Sequence, residues 1–367
     1  MKTYPISMVP GPVRVPQPVL DAMNIDYGSA DLEVDFLELY NHTEASLQTI
    51  YATSNPIAIM TGEGMLALWS ALKSVLLPGE RVLAIGTGVF GFGIGDMAHA
   101  IGADVRTVSL GYDETLGDLS RIEQAIINFR PKMITAVHCE TPSGTLNPLD
   151  GLGKLKRKYD VPLLYVDAVA SAGGTAVLTD EWGIDLCLGA SQKALSAPPL
   201  AAFCSISARA WEIAAEVNYS GYDALLPFRD AQKDFYFPYT PNWHGLAALD
   251  AAAQLLLDEG LEQVFARHNK AGEICRSRIK EMGLRLFPAA SAVPAPTVTA
   301  VYLPDGITWK EFDERLRGRG LVVGGSYGPL AGKIFRIGHM GSQADLDLVN
   351  RALDVIETVV REGGKTK

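Results

Sequence analysis

At 367 residues the chain is longer than one hydrophobic core usually serves, so two structural units are expected. Its 32 basic and 42 acidic residues leave a net charge of −10, which argues against nucleic acid or an anionic membrane as a general partner. Apolar residues make up 48% and charged residues 20%, and every apolar run is broken well short of the ~18 residues a membrane span needs.

The chain opens with Met8-Val-Pro-Gly-Pro-Val-Arg-Val-Pro-Gln-Pro, too rich in proline for a helix or an inner strand, so residues 1–20 read as an extended arm. Short apolar runs then alternate with helix-like stretches. Ile57 to Met60, Arg81 to Ile85, Val105 to Ser109, Met133 to His138, Leu163 to Asp167 and Leu186 to Gly189 each read as a buried strand. Between them Gly64 to Leu76, Leu119 to Phe129 and Leu149 to Tyr159 read as helices. This alternation predicts an α/β fold with a mostly parallel sheet covered on both faces.

Pro241 to Ile279 reads as largely helical, and a second, smaller α/β unit follows Pro288. In that unit Thr297 to Leu303 and Ile334 to Ile337 are strand-like, while Trp309 to Arg319 and Ala344 to Arg361 are helix-like. The division expected is a large cofactor-binding domain over 21–255 and a small C-terminal domain over 256–367. The cysteines Cys139, Cys187, Cys204 and Cys275 lie far apart with no C-x-x-C pair, so neither a disulfide framework nor a metal site is expected. No secretory leader is legible in Met1 to Met8, and the cytoplasm is the expected location.

In open parallel sheets ligands bind beyond the carboxyl ends of the strands, which directs attention to four loops. The first is Gly189-Ala-Ser-Gln-Lys193-Ala-Leu-Ser-Ala-Pro-Pro. A lone lysine at a loop tip is ordinarily a solvated surface residue. One hemmed by a buried strand, small residues and Pro-Pro can lose its proton and serve Schiff-base chemistry. The second is Tyr165-Val-Asp167-Ala-Val-Ala-Ser171. A carboxylate ending an apolar strand caps a following turn, or it holds the proton of a pyridinium nitrogen. The third, His138-Cys-Glu-Thr141-Pro-Ser-Gly-Thr145, gathers hydroxyls that form a turn or meet a ring oxygen. The fourth, Thr61-Gly-Glu63-Gly64-Met65, opens a helix whose backbone N–H groups suit an anion.

Taken in order with Gly88-Val89-Phe90, these segments resemble the class V aminotransferases of fold type I. The resemblance runs from Pro10-Gly11-Pro12 to Arg336-Ile-Gly-His-Met-Gly341, nearly the whole chain. It implies a mostly parallel, seven-stranded-type large-domain sheet, a small C-terminal domain, and transamination between a small amino donor and a 2-oxo acid. It also implies a cofactor, pyridoxal 5'-phosphate or free pyridoxal/pyridoxamine held as substrate, attached through Lys193. Asp167 would pair with the ring nitrogen, Phe90 would stack on the ring and Thr141 would sit near its hydroxyl. Glu63, Gly64, Ser191 and Gln192 would surround the position of the phosphate, and Arg336 would clamp the substrate carboxylate. A homodimer or dimer of dimers with shared sites is implied, Phe237 and Thr240 arriving from the neighbouring subunit.

Two positions depart from the common pattern. Glu63 stands where most members place a small hydroxyl residue against the phosphate, and Phe237 where they commonly place tyrosine. A carboxylate beside a dianion is repulsive, whereas it accepts a hydrogen bond from a neutral hydroxymethyl group. At both positions the chain is similar to the pyridoxamine–pyruvate branch of the family. Ser191-Gln192 instead keeps the phosphate-binding wording, and Tyr327 replaces a second carboxylate-binding arginine. The alternatives are a conventional alanine– or serine–glyoxylate aminotransferase and, less favoured, a fold-type I lyase.

Overall fold

The computed structural model of the protein describes residues 3–363. Every predicted strand forms, its ends shifted by no more than one residue. The main sheet has seven strands, in the order Ile57–Thr61, Ala201–Ile206, Leu186–Ala190, Leu163–Asp167, Met133–Val137, Arg81–Gly86, Asp104–Ser109. All neighbours are parallel except around Ala201–Ile206, which runs antiparallel to both of its partners. Leu163, Leu164, Tyr165 and Val166 are fully buried, as expected of a strand covered on both faces. Truncating such a residue to alanine would cost about 2–5 kcal/mol.

Ala201–Ile206 was not among the strands read from the sequence. It directly follows Pro198-Pro199 and reverses direction, so it breaks the strand–helix alternation that marks the others. Three helices were also missed: Val34–Ile50, Val89–Ala100 and Ala208–Val217. The second is rich in glycine, a poor helix former. Packing explains it: a Cβ on Gly91 would come within 2.7 Å of the Ile85 carbonyl, and one on Gly95 within 3.1 Å of the Ala84 side chain. The glycines let this helix lie directly on the sheet.

Six of the seven strands point their carboxyl ends to one edge of the sheet, and five of them carry the loops that matter here. Ile57–Thr61, Arg81–Gly86, Met133–Val137, Leu163–Asp167 and Leu186–Ala190 all point the same way, and their loops converge there. A short hairpin, Cys139–Glu140 with Thr145–Leu146, continues beyond Met133–Val137. No helix among the described residues is long and apolar enough to cross a membrane.

The C-terminal unit has its own core, with Phe312, Leu316, Phe335, Leu353 and Ile356 at its centre. Val298–Tyr302 pairs antiparallel with Ile334–Gly338. The expected division at 255/256 falls within the helix Trp243–Glu259; the change of core comes in the next helix, Leu261–Glu281, between Val264 and Ala271. The N-terminal arm is less uniform than its composition suggests. Ile6–Met8 forms a strand parallel to Leu321–Val323 within the C-terminal core, and a helix begins at Gln17.

Candidate active site

At the converging edge lies a cavity of about 300 Å³ lined by seven of the residues singled out from the sequence: Glu63, Gly64, Phe90, Thr141, Asp167, Gln192 and Lys193. Pro12 of the arm and Val169 complete part of its wall.

Lys193 sits three residues beyond the Leu186–Ala190 strand, in the loop that follows it. Its ammonium donates to the Pro10 carbonyl at 2.8 Å. Burial, reinforced by the nearby Arg336 charge, draws its pKa down to about 8, against the opposing pull of Asp167. The arm crosses so close that a Cβ on Gly11 would lie 2.6 Å from the Lys193 amine, and Gly11 has φ +101°. Only glycine meets both demands.

Asp167 ends its strand with a 6% exposed side chain, and its Oδ1 accepts the Val169 N–H at 2.9 Å. Burial pushes its pKa up to about 6, although the Val169 N–H and Lys193 both favour the ionised form. A cationic group entering the cavity would restore the charge. Both roles weighed for this residue are therefore open to it, since the capping bond uses one oxygen.

Glu63 caps the helix Gly64–Val75, its Oε1 accepting the Met65 N–H at 3.1 Å. Its Oε2 accepts the Gln192 amide at 3.1 Å. The Gln192 oxygen is buried with no hydrogen-bond partner. Gly64 is packed so closely that a Cβ would meet Val169 at 3.3 Å.

Arg336 is 2% exposed and lies beside this cavity. Its Nε donates to the Gly325 carbonyl at 2.5 Å and its Nη1 to the Thr141 carbonyl at 3.4 Å, while the Tyr327 ring covers the guanidinium at 4.6 Å. Burial lowers its pKa, yet no carboxylate is bonded to it. Such a cation is ready for an incoming anion.

Three expected residues do not reach the cavity within this chain. The Ser191 hydroxyl donates to the Pro198 carbonyl at 2.5 Å and accepts the Leu200 and Ala201 N–H groups, so its bonding capacity shapes the loop. Phe237 is buried against Phe36 and Tyr40, with ring centroids 5.4 and 5.0 Å away. Thr240 is exposed and donates to Asp31 at 3.0 Å.

One residue in the chemistry-bearing loops was passed over. Glu140 is fully buried, and its carboxylate accepts the N–H groups of Phe90 at 3.1 Å and Gly91 at 2.6 Å. It thereby holds the start of the helix that carries the ring of Phe90. Burial raises its pKa to about 7 despite these two donors. A buried acid within a strand-end loop was the available signal, because such a group needs donors close by. Cys139 lines the cavity, but burial pushes its thiol up to about 12, far from a reactive thiolate.

A parallel sheet with a buried lysine, a strand-end aspartate and a free arginine at its carboxyl edge defines a pyridoxal enzyme of the fold type I class. The Aminotransferase class-V profile matches residues 10–332, and the chain belongs to that family of transaminases. It is 33% identical to the alanine–glyoxylate aminotransferase of Callithrix jacchus, over 94% of this chain and 85% of that one. It is 30% identical to the pyridoxamine–pyruvate transaminase of Mesorhizobium japonicum, over 98% of this chain and 92% of that one. The crystal structure of ureidoglycine–glyoxylate aminotransferase from Bacillus subtilis superposes with a TM-score of 0.94 at 33% identity, covering 99% of this chain and 95% of the other.

The family fold implies a pyridoxal cofactor, and the cavity fits one. The unpartnered Gln192 oxygen, the Asp167 carboxyl held partly protonated by burial, and the Lys193 amine, whose hydrogen bond goes to a backbone carbonyl, would each find a partner in such a ring.

Proposed function

We propose that this transaminase moves an amino group from pyridoxamine to pyruvate, taking the free vitamer as a substrate. The observation that carries the reading is Glu63. Its carboxylate already occupies the helix N-terminus at which a phosphate would bind, accepting the Met65 N–H at 3.1 Å. A phosphate dianion there would meet a carboxylate, at a cost of several kcal/mol where water is excluded, roughly as Coulomb's law gives at low dielectric. A neutral hydroxymethyl group would instead donate to Glu63 or to the unpartnered Gln192 oxygen. The name of the Mesorhizobium japonicum relative supports the same reading.

The bound ring supplies an electron sink for the carbon from which a proton is removed. Asp167 would hold the ring nitrogen's proton, Phe90 would press on the ring face, and Thr141 would meet the ring hydroxyl, all three lining the cavity. Arg336 orients the carboxylate of pyruvate or alanine with two parallel hydrogen bonds. The Lys193 amine, buried at the cavity, would hold the ring's aldehyde and would carry the proton between the donor carbon and that of the oxo acid. We propose further that the working unit is a dimer, in which Phe237 and Thr240 face the partner's cavity.

The conventional reading, alanine–glyoxylate transamination with a resident phosphate cofactor, has one observation in its favour. Tyr327 covers Arg336, leaving a single arginine for the substrate carboxylate. Turnover of pyridoxamine with pyruvate, set against alanine with glyoxylate in protein loaded with pyridoxal phosphate, separates the two. Faster turnover of the second pair would overturn the proposal.

A further inference from the structure

A second cavity, of about 510 Å³, shares no residue with the catalytic one. Three cations line it, Arg276, Lys280 and Arg285, and no aspartate or glutamate does. That is contrary to the balance of the chain, whose net charge is −10.

The cations are arranged, not scattered. Arg276 and Lys280 are one turn apart on the helix Leu261–Glu281 and so share a face. Arg276 donates to the Ala295 carbonyl at 3.1 Å, which fixes its guanidinium but leaves its charge without a carboxylate. Burial lowers its pKa accordingly. The guanidinium of Arg285 lies over the Tyr302 ring at 3.9 Å, a stacking that keeps the fork flat.

The other two arginines of the same helix make the contrast. Arg267 is bonded to Glu259, and Arg278 to Asp354 and Glu357. The arginine that faces the cavity makes no such ion pair, Glu273 acting on it only through space. The remaining wall, with Leu286, Pro288 and Val298, is apolar.

We propose that this cavity is a second binding site, for a small organic anion bearing two or more carboxylate or phosphate groups on an apolar body. Forked guanidinium groups suit either kind of oxyanion, and the apolar wall takes the carbon skeleton. The site also touches the catalytic machinery from behind. Its wall includes Thr299 and Ala300. Ala300 is the sheet partner of Arg336, and the Thr299 hydroxyl is hydrogen-bonded to His339 at 2.8 Å. An occupant would press on the strand that carries the substrate-binding arginine.

The test is calorimetric titration of the full-length protein, loaded with its pyridoxal cofactor, using citrate, AMP and inorganic pyrophosphate as probes in 0.15 M salt. Citrate represents polycarboxylates; AMP and pyrophosphate represent phosphates. At least one probe is expected to bind with Kd below about 1 mM. Lys280→Glu, an exposed change that spares the core, should weaken that probe at least about tenfold, as should Arg276→Gln. Arg336→Lys should leave it unchanged, and the cofactor's visible absorbance should stay constant throughout. Failure of all three probes to bind below about 10 mM would overturn the proposal. So would affinity that survives Lys280→Glu, or affinity lost in Arg336→Lys, which would place the probe in the catalytic cavity.

Discussion

The Glu140 carboxylate accepts the Gly91 N–H at 2.6 Å, and through this bond a hairpin beyond one strand fixes the helix that begins beyond another. The same carboxylate takes the Phe90 N–H, so the backbone beneath the ring is pinned at two successive residues. A Cβ on Gly88 would lie 2.5 Å from the Glu140 side chain, which ties the glycine to the acid.

Glu140→Gln replaces one accepting oxygen with a donor that faces an N–H group. Leaving a buried donor unsatisfied costs about 1–3 kcal/mol. Denaturant unfolding should report a loss of that size, together with weaker pyridoxal binding as Phe90 loosens. Wild-type stability and wild-type pyridoxal affinity in this variant would show that the carboxylate holds nothing.

The low pKa of Lys193 has a kinetic signature. Only the neutral amine attacks an aldehyde, and a lysine with a pKa of about 8 becomes neutral between pH 7 and 9, well before one near 10.5. The rate of pyridoxal attachment to the free protein should therefore rise with pH and level off just above 8. Arg336→Gln removes a neighbouring positive charge, so the plateau should move to higher pH. Stopped-flow absorbance measures both; a plateau near pH 10 in wild type would contradict the burial argument. Borohydride reduction should leave the ring on the peptide containing Lys193, and Lys193→Ala should abolish it.

Arg336→Lys keeps the charge and loses the fork. Losing one charge-assisted hydrogen bond of about 1.5–3 kcal/mol predicts a fall of roughly 10- to 100-fold in kcat/KM for the oxo acid. The cofactor spectrum should hardly change, because lysine keeps the positive charge that acts on Lys193. Steady-state kinetics with pyruvate decide it, and unaltered kinetics would mean that the carboxylate is held elsewhere.

Glu63→Ser tests the choice of vitamer. Removing the carboxylate frees the Met65 N–H and relieves repulsion toward a dianion, so affinity for pyridoxal phosphate should rise at least about tenfold. Affinity for free pyridoxal should fall, since its hydroxymethyl group loses an acceptor. Serine is itself a favoured N-cap, so the stability of the helix Gly64–Val75 should hardly change. Equilibrium binding of both vitamers to wild type and variant gives the comparison. A wild type that already prefers the phosphate would refute the assignment of Glu63.

What could be read from the sequence follows the physics of each part. Apart from the largely exposed edge strand Asp104–Ser109, the parallel strands of the main sheet were legible because burial on both faces makes each a nearly continuous apolar run, and the loops at their carboxyl ends follow from the fold. Lys193 and Asp167 draw attention as charged residues closing such runs, but the roles expected of them and of Glu63 come from the resemblance to the class V family. Ala201–Ile206 was not legible, since an antiparallel strand after Pro-Pro has no helix before it. Val89–Ala100 was hidden because its glycines serve close packing against the sheet and contradict helix propensity. The bonding of Ser191 and Glu140 depends on backbone groups brought near by the fold. No spacing of residues encodes it.

The pairing of Ile6–Met8 with Leu321–Val323 has a consequence for how the protein is made. The first strand leaves the ribosome long before its partner, a delay of roughly 15–60 s at ordinary translation speeds. Through that interval the segment that supplies Pro10 to Lys193 has no edge to dock on at its start. The sheet of the large domain is complete once Ile206 has emerged, whereas the strand Ile6–Met8 has no partner until Leu321–Val323 follows. Synthesis itself thus orders the steps: the sheet first, the pairing of the first strand last.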